Sequence, residues 1–137
     1  MSAILLDERV VHYEVLGRGR PILFLHGWVG SWRYWIPTMQ AASISFRSYA
    51  LDLWGFGDTA RDQTLYSLER QVILLELFMQ EMGIGKVAFV GHGLGGILAV
   101  LFARKNPQQV DRIMAVSMPF DVNSAAARLR SPASPAD

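Results

Sequence analysis

No cysteine occurs among the 137 residues, so disulfides and thiol chemistry are excluded. Charge of either sign is sparse: 13 Lys and Arg against 12 Asp and Glu leave a net charge of +1. That balance points to no nucleic acid and no anionic membrane as partner. Histidine is scarcer still, with His12, His26 and His92 as the full set and none after residue 93. The first eight residues, Met1 to Glu8, lack a basic start and a long apolar core, so no signal peptide is expected and a cytoplasmic location is the reading. What the chain has is apolar surface: 51% of residues are hydrophobic and 18% charged, a globular rather than disordered composition.

The most informative stretch is Val87 to Ala103. Four apolar residues, Val87-Ala88-Phe89-Val90, read as a buried strand. Gly91-His92-Gly93-Leu94-Gly95-Gly96 follows, and an apolar helical pattern then runs to Arg104. Its length approaches a short membrane span, but His92 and the glycines favour a buried core. Glycines so dense between strand and helix mark a sharp reversal or a close backbone contact. Two motifs fit. One is the dinucleotide fingerprint G-x-G-x-x-G, which also wants an acidic residue about 20 residues on at the end of the next strand; Asp111 precedes its strand instead. The other is the nucleophile elbow G-x-S-x-G, met everywhere except at the nucleophile, where Gly93 stands.

Two upstream stretches decide between them. Pro21-Ile22-Leu23-Phe24-Leu25-His26-Gly27-Trp28 is a strand ending in His-Gly, and Leu51-Asp52-Leu53-Trp54-Gly55-Phe56-Gly57-Asp58-Thr59 is a strand end followed by a glycine turn. In this order the three segments closely resemble the N-terminal half of the α/β-hydrolase superfamily, whose members include esterases, C–C bond hydrolases, epoxide hydrolases and haloalkane dehalogenases. The resemblance covers about Val11 to Phe120. It implies an α/β fold with a mostly parallel sheet and flanking helices, truncated after about the sixth strand. Residues 1–122 would form the N-terminal part of the core, and 123–137 the start of a lid or a linker tail.

Along the chain, residues 4–16 read as an antiparallel hairpin, with His12 and Glu14 on its half-exposed face. Ser31 is a helix N-cap for residues 32–42, where Pro37 is expected to kink. Residues 46–53 form a strand, with Asp52 as a carboxylate that caps nearby amides. A helix over 66–82 starts at Ser67 or Thr64 and ends at Gly83. The elbow helix, apolar nearly all round, suits a position beneath other elements. A strand over 110–118 follows, and 123–130 could form one more helix.

The resemblance also implies roles. An elbow nucleophile, serine in some branches and aspartate in the epoxide hydrolase and dehalogenase branches, would stand at position 93. The amides of Leu94 and Trp28 would form the oxyanion hole, aided by the helix N-terminus. His26, Gly27, Gly91, His92, Gly95 and Gly96 would shape the motif, and Trp32 or Trp28 would line an apolar pocket. Asp121, after the sixth strand, is a weak candidate for the acid. Two features oppose triad chemistry in this chain: Gly93 has no side chain, and the order nucleophile, acid, histidine lacks its histidine. The expectation is a hydrolase-family chain that is inactive as written, with no cofactor, no metal and a small apolar substrate or ligand; the alternative is a non-catalytic binding or regulatory module on a hydrolase scaffold. A strand at 110–118 left as an edge would invite self-association or pairing with a C-terminal half.

Overall fold

A computed structural model describes residues 2–28 and 30–117. Six strands form one sheet: β1 (Ser2–Leu6), β2 (Arg9–Leu16), β3 (Arg20–Leu25), β4 (Phe46–Leu51), β5 (Val87–His92) and β6 (Val110–Val116). Their spatial order is β1-β2-β4-β3-β5-β6. β1 pairs antiparallel with β2, and β2 antiparallel with β4. The other pairs, β4 with β3, β3 with β5 and β5 with β6, are parallel. Parallel strands flanked by helices must be apolar on both faces, and Leu23, Phe24 and Leu25 of β3 are all buried.

The β1–β2 hairpin turns on Asp7 and Glu8, both at positive φ (52° and 63°) without being glycine. The expected helix at 32–42 is two pieces. Trp32–Trp35 is a 3-10 turn capped by Ser31, whose side chain accepts from the Arg33 amide. The α-helix α1 (Ile36–Ala42) starts there. Pro37 therefore opens a helix instead of kinking one, because a first-turn proline has no amide to lose. Helix α2 (Leu68–Met82) is capped by Ser67, not Thr64, and closed by Gly83 in the left-handed region at φ 70°. Helix α3 (Leu94–Lys105) follows β5.

The helices lie on opposite faces of the sheet. α2 and α3 cover one face, with Val72, Leu75, Phe78, Leu98 and Phe102 packed against Leu23, Leu25, Leu51 and Phe89. On the other, Trp35 and Met39 cover Ile22, Phe24 and Ala50. α3 is less enclosed than its composition suggests, since Val100 is exposed. His12 corrects the hairpin reading: strict alternation would expose it, yet it is 1% exposed. Polar partners, described below, draw it inward. The 118–122 and 123–130 segments and Asp121 lie outside the described residues.

Candidate functional site

The turn between β5 and α3 is shaped by its glycines. A Cβ on Gly91 would lie 2.5 Å from backbone atoms of Gly95 and Gly96, and one on Gly95 would lie 2.2 Å from the Leu25 carbonyl oxygen. The first turn of α3 thus rests directly on β5 and β3, which no side chain would permit. Gly93 occupies the apex with φ 53° and ψ −115°, a sparsely populated region in which any residue but glycine is strained. Among the described residues there is room around it: the nearest atom to its would-be Cβ is the Gly27 Cα at 3.8 Å. Its carbonyl accepts from the Ile97 amide (3.2 Å), and its own amide donates to the Val116 carbonyl (3.0 Å), tying the apex to the end of β6. Leu94 and Gly96 are buried in the first turn of the helix.

Opposite the apex runs the loop after β3. His26 is fully buried and uses both ring nitrogens: Nδ1–H donates to the Gly27 carbonyl (2.8 Å), and Nε2 accepts from the Leu53 amide (3.0 Å). These partners fix the neutral Nδ1–H form, and burial pushes the imidazole below its usual value. His26 is therefore a brace between two loops. Gly27 is required by His92, whose Nδ1 would lie 2.6 Å from a Cβ there. The His92 ring stacks on Tyr34 at 5.0 Å. Trp28 meets Phe56 edge to face at 5.4 Å, and Phe56 in turn meets His26 at 5.0 Å.

Asp52 organises the remaining loops. Its carboxylate is completely buried. Oδ1 accepts from the Trp32 amide (2.8 Å), and Oδ2 from the Asp58 amide (3.0 Å). His12 Nδ1 lies 3.0 Å from the same Oδ2, while His12 Nε2 lies 2.6 Å from Glu14. The His12 amide donates to the Thr59 hydroxyl, which donates to the Asp52 carbonyl. Gly57 passes so close that a Cβ would fall 2.2 Å from Asp52 Oδ2. His12, Asp52 and Asp58 place donor atoms within 4.8 Å of one another, as metal ligands do, but the hydrogen bonds already account for the arrangement. Trp32 sits over this cluster, its ring edge-on to His12 at 5.7 Å.

The candidate residues thus fall into two groups. Gly91, His92, Gly93, Leu94, Gly95 and Gly96 face His26, Gly27 and Trp28 across the ends of β3 and β5. Trp32 belongs instead with Asp52 and His12. Sequence reasoning missed Gln71. It is buried in α2 and pairs with both backbone groups of Trp54, accepting from the amide (2.9 Å) and donating to the carbonyl (3.0 Å). A polar residue beside Val72 and Leu75 on an apolar helix face was the available signal.

Similarity to known proteins agrees with this geometry. A sequence model described as alpha/beta hydrolase fold matches residues 20–136. The soluble epoxide hydrolase of Corynebacterium sp. (strain C12) is 32% identical over 108 residues, spanning 79% of this chain and 38% of that protein. Epoxide hydrolase 4 of Mus musculus is 30% identical over 126 residues, 89% of this chain and 35% of that one. Among solved structures, the ligand-free epoxide hydrolase CorEH superposes with TM-score 0.83 at 27% identity, over 89% of this chain and 46% of its own. Cfl2 from Burkholderia cenocepacia gives 0.85 at 26% identity, over 94% and 45%. The chain spans less than half the length of each of these relatives. With a glycine turn between β5 and α3, a His-Gly loop after β3 and a family match over residues 20–136, this chain belongs to the α/β-hydrolase family.

Proposed function

We propose that this chain is the elbow-bearing part of an epoxide-hydrolase-like α/β hydrolase that does no chemistry by itself. In its intact form the family member would open ester-like or epoxide bonds of small apolar substrates. The observation that carries the reading is Gly93: it takes a strained backbone such as an elbow nucleophile would need, has open space among the described residues where a side chain would project, and has no side chain. The amides of Leu94 and Trp28 would hold a developing oxyanion, a role that needs no side chain and therefore persists without a nucleophile. Trp28 and Phe56, in contact with each other, and Tyr34, stacked on His92, would give the region an aromatic lining suited to apolar ligands.

His26 does not serve as a base in this proposal, because both its nitrogens are committed. The epoxide hydrolase names of the relatives favour aspartate as the residue that Gly93 replaces, while the flanking Leu94-Gly95-Gly96 favours serine. A cytoplasmic location is part of the reading; among the described residues no helix is long and apolar enough to cross a membrane.

The test is turnover of a p-nitrophenyl ester and of styrene oxide by the purified chain, by Gly93→Ser and by Gly93→Asp. Each is assayed alone and with a C-terminal hydrolase half co-expressed. Turnover confined to a substituted chain with the added half is expected. Turnover by the unsubstituted chain would overturn the assignment of position 93. Saturable binding of an apolar ester without turnover in any combination would favour the binding-module alternative.

A further inference from the structure

The pole of the sheet remote from Gly93 carries arginines without counter-charges. β3 and β4 run parallel to β5, so their first residues, Arg20 and Phe46, lie in register at the end opposite the Gly93 turn. β2 runs antiparallel to β4 and ends at the same pole with Leu16, two residues before Arg18. Arg18, Arg20 and Arg47 are all exposed, and among the described residues no carboxylate forms an ion pair with them. Arg47 instead donates to the Tyr49 hydroxyl (2.8 Å) and lies over that ring. Asp7, Glu8, Asp52 and Asp58 stand at the other pole, on the β1–β2 turn and the loop after β4. The net charge of +1 therefore conceals an uneven distribution.

Apolar side chains stand among these arginines. Ile44, in the turn that closes α1, is 88% exposed, and Leu16 and Phe46 are exposed beside it at 41% and 37%. The register puts Leu16 opposite Ser48 and Arg20 opposite Phe46, so all three share the α1 face of the sheet. The loops that present them are pressed together. A Cβ on Gly17 (φ 89°) would lie 2.6 Å from the Ser43 carbonyl oxygen, and one on Gly19 (φ 122°) would lie 2.5 Å from that of Ser45. The tip is thus preset and needs little ordering on contact.

We propose that this pole docks on an anionic phospholipid bilayer, with Ile44 seated in the headgroup layer and Arg18, Arg20 and Arg47 against the lipid anions. Three unpaired cations around an apolar tip complement a negatively charged leaflet. A fluid interface accepts one projecting side chain, whereas a protein partner would need a pocket shaped to it. Arginine stems lie along apolar surface while their heads reach phosphate, which suits the headgroup layer. Docked in this way, the Gly93 turn faces away from the bilayer, and ligands reach it from water. The proposal does not depend on the hydrolase reading.

The experiment measures co-sedimentation of the chain with vesicles of phosphatidylcholine alone and of phosphatidylcholine with about one third phosphatidylserine. Binding to the anionic vesicles only is expected. Arg18→Ala and Arg20→Ala should each weaken it about fivefold, the loss of one cation near a charged leaflet, and Ile44→Ser should weaken it as well. Raising salt to about 0.5 M should remove most of the binding. Because the chain has no cysteine, Ser45→Cys gives a single site for an environment-sensitive fluorophore, and Val100→Cys, on exposed α3 surface, gives the control. Emission should rise on vesicle addition at position 45 and not at position 100. Thermal melts check that each variant stays folded. No binding, equal binding to neutral vesicles, or an equal response at both labelled positions overturns the proposal. So does tighter binding to single-stranded RNA than to the anionic vesicles at the same salt, which would assign the arginines to nucleic acid.

Discussion

Replacing Gly93 by serine separates backbone strain from steric fit. Among the described residues the would-be Cβ has only the Gly27 Cα nearby, at 3.8 Å, an ordinary contact. The cost must therefore come from φ 53° with ψ −115°. A non-glycine residue held in such a sparsely populated region costs about 1–3 kcal/mol. Gly83 provides the internal standard: its φ is also positive at 70°, its ψ is 28°, and nothing lies within 4 Å of its would-be Cβ. That is the ordinary left-handed well, where alanine costs about 1 kcal/mol. Gly93→Ser is thus expected to destabilise more than Gly83→Ala, lowering the melting temperature by about 3–10 °C in a domain of this size. Urea unfolding monitored by tryptophan fluorescence measures both. A serine variant as stable as the parent, or less perturbed than Gly83→Ala, would refute the strain argument and with it the elbow geometry at residue 93.

Four further outcomes follow from the same contacts. Gly95→Ala should be far worse than either, because its methyl would meet the Leu25 carbonyl at 2.2 Å and must move backbone; insoluble or strongly destabilised protein on expression is expected. Asp52→Ala leaves the part-buried Trp32 and Asp58 amides without their acceptor and should cost about 1–3 kcal/mol in urea unfolding. Replacing Asp7-Glu8 by Asn-Gly suits the two positive φ values and should raise stability by about 0.5–1 kcal/mol. His26 is depressed by burial, so the unfolded chain binds its proton first; stability is fully present above the ordinary value of 6.5 and falls as pH drops below it, by at most about 1.4 kcal/mol per pH unit. Melting temperatures of the parent and His26→Asn between pH 5 and 7.5 should differ in slope on that limb.

Much of the fold was legible because its signals were local. Apolar runs bounded by glycine placed β3, β5 and α3, and Ser31, Ser67 and Gly83 announced helix ends through their own cap chemistry. The glycine turn before α3 was legible for the same reason, since it is a turn of consecutive residues. His12 was misread because alternation describes a strand seen alone, whereas Asp52 lies 40 residues away in sequence. Gln71 escaped for a related cause: its partner is backbone, and backbone carries no sequence signature. Pro37 shows the limit on boundaries, because its meaning depends on whether a helix has already begun.

The Asp52 cluster has a consequence for how the molecule opens. One carboxylate joins the second strand of the hairpin through His12, the 3-10 turn through Trp32 and the glycine loop through Asp58. Each segment that detaches takes a hydrogen-bond partner from a fully buried carboxyl group. Local opening should therefore be collective: in native-state hydrogen exchange the amides of Trp32, Asp58 and His12 should share one opening free energy and behave as a single cooperative unit, although they belong to three separate stretches of the chain.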